Sequence, residues 1–159
     1  MLKIIPITTL SIQLEQSIFH SQQEKFRFLT RLKSEFESGV NRFDQQGEAL
    51  FAVYKNKQLI GIAGLNQQPY DVKNSLSING FNFYPAEIGR IRRFYIHPNF
   101  RQCGIARKLL TEIKDFAQHY FKILTLFTDT TDAAAFYQAC AYHACQHPKI
   151  SHFKILSTA

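Results

Sequence analysis

The stretch from Ile88 to Tyr120 constrains the fold more than any other part of the sequence. It begins I-G-R-I-R-R-F-Y-I, dense in β-branched and aromatic residues, and stops at His97-Pro98-Asn99. After a short loop it resumes with Ile105, Ala106, Leu109, Leu110, Ile113, Phe116, Ala117 and Tyr120. The first run reads as a strand over residues 88–96, and apolar groups at steps of three and four mark one face of a helix over residues 104–120. A strand feeding a long amphipathic helix through a short loop is half of a crossover unit. The chain is therefore α/β, with that helix laid on a sheet.

The remaining elements fit around this unit. Residues 2–7 read as a short strand whose Pro6 suits a sheet edge. Over residues 22–38, Phe26, Leu29, Leu32, Lys33 and Phe36 give an amphipathic helix, closed by Gly39 where a helix end favours a left-handed residue. Residues 49–54 and 59–65 form a β-hairpin about the polar turn K-N-K-Q. Residues 66–85 are a long polar excursion with a short extended piece around 76–83. A strand over 123–128, a short helix over 132–140, and a strand pair at 142–147 and 150–156, turned at Pro148-Lys149, complete the chain. At 159 residues this is one domain, residues 1–159.

A formal charge of +7 favours an anionic partner: nucleic acid, an acidic membrane face or a phosphorylated small molecule. Its distribution narrows the choice, because eight basic and two acidic side chains fall between residues 90 and 122. No recognisable nucleic-acid motif is present, and no apolar run is long enough to span a bilayer. Neither nucleic acid nor a membrane is an expected partner. The start lacks an apolar leader with a cleavage site, and Cys103, Cys140 and Cys145 are too few for a disulfide scaffold. A cytoplasmic location is expected.

The loop R-Q-C-G-I-A, residues 101–106, opens the long helix. Free N–H groups at a helix start, the positive end of its dipole and an unobstructed Gly104 make a pocket suited to a pyrophosphate. Neither G-x-x-x-x-G-K-[ST] nor G-x-G-x-x-G/A occurs here, so Walker and Rossmann loops are excluded.

The loop instead resembles the acyl-CoA loop of the GNAT superfamily of N-acetyltransferases, [RQ]-x-x-G-x-[GA], through Arg101, Gly104 and Ala106. Phe94-Tyr95-Ile96-His97-Pro98 is similar to the family's strand ending in L-Y-V-x-P. A-A-A-F-Y-Q-A-C-A-Y, residues 133–142, is similar to A-x-x-F-Y-x-x-x-G-F, with Ala141 and Tyr142 replacing Gly-Phe. The resemblance covers nearly the whole chain. It implies a mixed central sheet flanked by helices with a splayed central strand, acetyl-CoA as donor, and direct attack by a primary amine of a small molecule, peptide or protein.

Site residues follow from the same resemblance. Phe94, Tyr95 and Ile96 would offer backbone groups to the pantetheine, and the amides of Gln102, Cys103, Gly104, Ile105, Ala106 and Arg107, with Arg101, would surround the pyrophosphate. Phe136 and Thr130 complete the expected cofactor contacts, although many members carry Asn where this chain has Thr130. Tyr137 would protonate the departing thiolate, a role that suits a phenol because it stays protonated at neutral pH. The segment G-L-N-Q-Q-P-Y, residues 64–70, resembles a loop after the third strand in a bacterial subgroup.

Other readings remain beside these. Glu87 is the carboxylate nearest the central strand and the candidate general base through a water, or else an ion-paired strand-end residue beside Arg90. The alternative for Tyr137 is a core aromatic on a helix beside Phe136. Arg90, Arg92 and Arg93 need a ligand or nearby carboxylates to satisfy them within a sheet. Cys140, His143, Cys145, His147 and His152 lack a pair of chelating turns, so no metal is expected; alternation puts His143, Cys145 and His147 on one strand face. The alternative function is a non-catalytic acyl-CoA-binding regulatory module. Acceptor specificity is expected from the first helices, residues 66–85 and the final hairpin, and a homodimer is compatible with this class.

Overall fold

The computed structural model describes residues 1–67 and 76–156. Its hairpin of β2 (Ala49–Lys55) and β3 (Gln58–Gln67) turns at Asn56 and Lys57, with φ of 50 and 69°. Two left-handed residues give the turn the twist of the strands it joins. β1 (Leu2–Ile7) pairs antiparallel with β2 at the sheet edge. β6 (Ile88–Ile96), β7 (Ile123–Leu126), β8 (His143–His147) and β9 (Ile150–Ile155) complete a seven-stranded mixed sheet ordered β1-β2-β3-β6-β7-β9-β8.

Helices cover both faces. α3 (Ile105–Ala117) and α4 (Thr131–Ala139) pack on one, where Ile105, Leu109, Ile113 and Tyr137 meet Phe51, Ile60, Leu65, Ile91 and Leu124. α1 (Leu14–Gln23) and α2 (Phe28–Ser38) take the other, with Leu14, Ile18, Leu29 and Leu32 against Leu50, Ile62 and Tyr95. The single helix expected over residues 22–38 is thus corrected to two. Lys25 has a φ of 66°, which breaks the helical path, and α2 begins only at Phe28. Gly39 caps α2 at φ 84° as the sequence implied.

The extended piece around residues 76–83 is a small hairpin, β4 (Leu76–Ile78) and β5 (Phe81–Phe83), turned at Asn79-Gly80. Leu76, Ile78 and Phe83 cover Ile88, Ile123, Ile150 and Phe153 on the sheet. The part of residues 64–70 beyond Gln67, and residues 68–75 of the polar excursion, lie outside the described residues. Among the described residues no helix is long and apolar enough to cross a membrane.

The centre of the sheet is split. β6 and β7 pair in parallel only through Ile88↔Ile123, Gly89↔Leu124 and Arg90↔Thr125. From Ile91 onward β6 stays with β3, while β7 stays with β9 through Leu126↔His152. A bulge sharpens the divergence: the β3–β6 register shifts between Ile62 and Gly64, and Arg93 has a φ of 58°. One extra residue there raises the local twist and turns the end of β6 away from β7. This is the splayed central strand that the resemblance implied.

Candidate active site

Backbone direction follows from the ladder. The amide of His97 donates to the carbonyl of Ile60 at 2.7 Å, and antiparallel alternation then aims Tyr95 at β3 but Phe94 and Ile96 into the split. The Ile96 carbonyl is engaged by Nε of Arg101 at 2.8 Å. The N–H of Ile96 and both backbone groups of Phe94 thus face the gap on the edge of β6 that has no paired strand beyond Arg90.

The loop from Arg101 ends on that edge. Gln102 and Gly104 have φ of 61 and 80°, and nothing lies within 4 Å of where a Cβ on Gly104 would stand. Gly104 caps α3 without a side-chain bond, so the first-turn amides keep their hydrogen-bonding capacity. No acidic residue lies in that turn, which instead carries exposed Arg107 and ends at exposed Lys108. Cations beside the positive end of a helix are unfavourable by themselves, and a bound anion removes the conflict. The cradle fits a pyrophosphate. Cys103 is exposed in the loop, its Sγ 3.3 Å from the carbonyl of Arg101.

Tyr137 hangs from α4 at the wall of the split, 6% exposed, its ring edge-on to Phe94, Phe136 and Tyr142. Burial, and then the neighbouring Cys140, push its phenol above the ordinary value of 10.0. Phe94 and Phe136 rings lie 6.1 Å apart, so both expected cofactor contacts line the same wall. Thr130 is the N-cap of α4, its hydroxyl accepting from the amide of Ala133 at 3.3 Å. His152, buried on β9, has its ring 6.4 Å from that of Tyr137 and is held below its ordinary value by burial.

Glu87 is not brought to this constellation. It ends the short helical turn Pro85–Glu87 before β6, pairs with Lys122 at 2.5 Å, and accepts from the amide of Tyr84 at 2.9 Å. Both partners stand where β6 and β7 begin, at the closed end of the split. At about 3.3 Å per residue, Phe94 is about 20 Å along the strand. The correction has a simple cause: proximity to β6 in sequence put Glu87 at the wrong end of it, and its partner is Lys122 rather than Arg90.

A cluster invisible to local sequence reading ties the loop to the first helices. Glu24, between α1 and α2, accepts from both Nη atoms of Arg101, at 2.6 and 2.9 Å, and from the hydroxyl of Tyr95 at 3.0 Å. The Arg101 guanidinium also lies 5.4 Å from the Tyr95 ring centre. His20 and His97 stack edge-on beside it at 4.5 Å. Arg101, expected at the pyrophosphate, therefore spends its fork on α1–α2 and on β6. The Cys140-to-His152 series does not converge, and among the described residues no three His, Cys, Asp or Glu side chains are grouped to hold a metal.

Residues 14–142 match the family model described as Acetyltransferase (GNAT) family. A protein of Exiguobacterium sp. 255-15 assigned as an acetyltransferase superposes with a TM-score of 0.80 at 24% identity, covering 97% of this chain and 93% of its own. An acetyltransferase from Streptococcus agalactiae gives 0.73 at 14% identity and 98% coverage of both chains. A GNAT family acetyltransferase from Elizabethkingia anophelis with acetyl-CoA bound gives 0.64 at 16%, again covering 98% of both. No curated protein sequence matches this chain.

Proposed function

This chain belongs to the GNAT family of acetyltransferases, and on that premise we propose that it moves the acetyl group of acetyl-CoA onto a primary amine of a small molecule, peptide or protein. The observation that carries the reading is the split itself: three residue pairs between β6 and β7, then an unpaired edge of β6 that leads through the short turn Pro98–Phe100 to a helix start whose N-cap, Gly104, makes no side-chain hydrogen bond. Acetyl-CoA, when bound, supplies an activated thioester.

The chain's own residues do the rest. Backbone groups of Phe94 and Ile96 hold the pantetheine arm as a further strand would, with Phe94 and Phe136 as its apolar wall. Amides from Gln102 to Arg107 hold the pyrophosphate, with Gly104 leaving room for its approach. The edge amides of β6 are fixed donors for charge developing on a carbonyl oxygen, and need no reorganisation to serve it. Tyr137, kept protonated by burial, donates its proton to the departing sulfur as the C–S bond breaks, and the proton that the attacking amine sheds on forming the C–N bond restores the phenol. No carboxylate is assigned as base; the amine enters from the α1–α2 face, where Glu24 and Glu35 are both engaged by arginine.

Release of free thiol from acetyl-CoA is the test. Amine-dependent release across a panel of amino acids, polyamines, aminoglycosides and peptide N-termini supports transfer. Tight acetyl-CoA binding with no release by any amine would replace this reading with a regulatory acyl-CoA-binding module.

A further inference from the structure

The basic strand β6 carries more positive charge than the donor accounts for. Ile91 packs into the core under α3, so strand alternation sends Arg90 and Arg92 to the opposite face, which the β4–β5 hairpin covers at the start of β6 and α1 and α2 cover toward its end. Arg90 is buried there and donates to the carbonyl of Lys149 at 2.9 Å. The bulge then turns Arg93 to the same face, where it is only 11% exposed and meets Glu35 of α2 at 2.6 Å. Arg92 stands between them, half-buried, and among the described residues it has no hydrogen-bond or ion-pair partner.

The charges around this point do not balance. Arg92 and Arg31 both lie within electrostatic reach of Arg93, whose ion-pair partner is Glu35. A guanidinium withdrawn from water beside another of its kind is unfavourable unless an anion joins them. Across the split, Leu124 and Leu126 point to the α3 side, and Phe127, the first residue after β7, is 52% exposed.

We propose that Arg92, with Arg93 behind it, receives a carboxylate or phosphate carried by the acceptor, so that the amines acetylated here are anionic. This rests on the acetyl-transfer reading, because it assigns the α1–α2 side of the split to the acceptor. The shared chemistry is a planar or tetrahedral oxyanion near the amine, which a guanidinium fork holds by paired hydrogen bonds.

Matched amines test it: phenylalanine against phenethylamine, and O-phosphoethanolamine against ethanolamine, with kcat/KM expressed per unprotonated amine. At least one anionic member should exceed its neutral partner by about tenfold or more, and the pair that shows it tells carboxylate from phosphate. Neutral amines acetylated equally well would overturn the inference and leave acetyl transfer standing. A second readout does not need turnover: in the CoA-loaded protein the preferred anionic amine should raise the melting temperature and its neutral partner should not. Equal shifts, or none with any of the four, would overturn the inference even if no amine is acetylated. In Arg92→Ala the anionic preference should shrink toward one while the Kd for acetyl-CoA holds; a weakened acetyl-CoA Kd with the preference intact would assign Arg92 to the donor and refute it.

Discussion

Arg101 and Glu24 are joined by two parallel hydrogen bonds of 2.6 and 2.9 Å, although 77 residues separate them in the chain. The same guanidinium grips the Ile96 carbonyl, so one side chain fastens the loop before α3, the end of β6 and the α1–α2 connection together. With side chains 39 and 25% exposed, the pair itself should contribute at most about 1 kcal/mol. Its larger effect is positional. Glu24→Ala should weaken acetyl-CoA binding severalfold with little loss in urea stability, and Arg101→Lys should do the same because an ammonium cannot reproduce the fork. Titration of both variants with acetyl-CoA checks this; unchanged affinity would detach the loop from the pair.

Gly104 separates backbone strain from occupied space. Its φ of 80° penalises any side chain, yet the space around it is open. Gly104→Val should cost about 1–2 kcal/mol and abolish acetyl-CoA binding. Gly104→Asn tolerates the left-handed backbone better, so it should fold nearly as the parent does and still bind poorly. Calorimetric titration beside thermal melting separates the two effects, and an Asn variant with parental affinity would refute the pocket.

The role proposed for Tyr137 requires its protonated form, and burial raises its pKa above 10.0. Activity that depends on it should therefore persist to higher pH than a solvent-exposed phenol would allow. Tyr137→Phe should lower kcat by about tenfold or more while leaving the Kd for acetyl-CoA near its parental value. A pH profile of kcat that falls near pH 9 in the parent and not in the variant would contradict this placement of the proton.

Glu87 has its carboxyl held below the ordinary 4.5, first by Lys122 and then by the Tyr84 amide. A depressed carboxylate stabilises the fold fully above its unfolded pKa, and that contribution is lost as the pH falls through the lower folded value. Glu87→Gln should thus flatten the stability profile on the acid side below about pH 5. Its kcat/KM should stay within about twofold, since nothing reactive lies near it. A large drop in kcat would return Glu87 to the candidate bases.

What was legible in the sequence was whatever is written locally. The bounds of β6, the Gly39 cap, the K-N-K-Q turn and the helix after Gly104 each carry a short-range signal, whether periodicity, a left-handed residue or an uncapped start. α1 escaped because half of its inward face is Ser17 and Ser21; the Ser21 hydroxyl donates to the Ile18 carbonyl at 2.8 Å and so needs no apolar pattern to be buried. Thr130 caps α4 through its hydroxyl, a role that its residue type and its place before the helix signal locally. Glu24 with Arg101, and Lys122 with Glu87, are choices made by the assembled sheet. No local window contains either pair.

The extra residue at the Arg93 bulge puts two consecutive side chains, Arg92 and Arg93, on one face of β6. Before it, odd-numbered Ile91 faces α3; after it, odd-numbered Tyr95 faces α1 and α2. Deleting Arg93 would restore an even ladder in which Phe94 and Tyr95 keep their present faces and Tyr95 stays opposite Ile62, but it would remove the local twist that turns the end of β6 away from β7, together with the ion pair to Glu35. The added residue thus holds the split open without exchanging its two walls, and position 93 should tolerate substitution far better than removal.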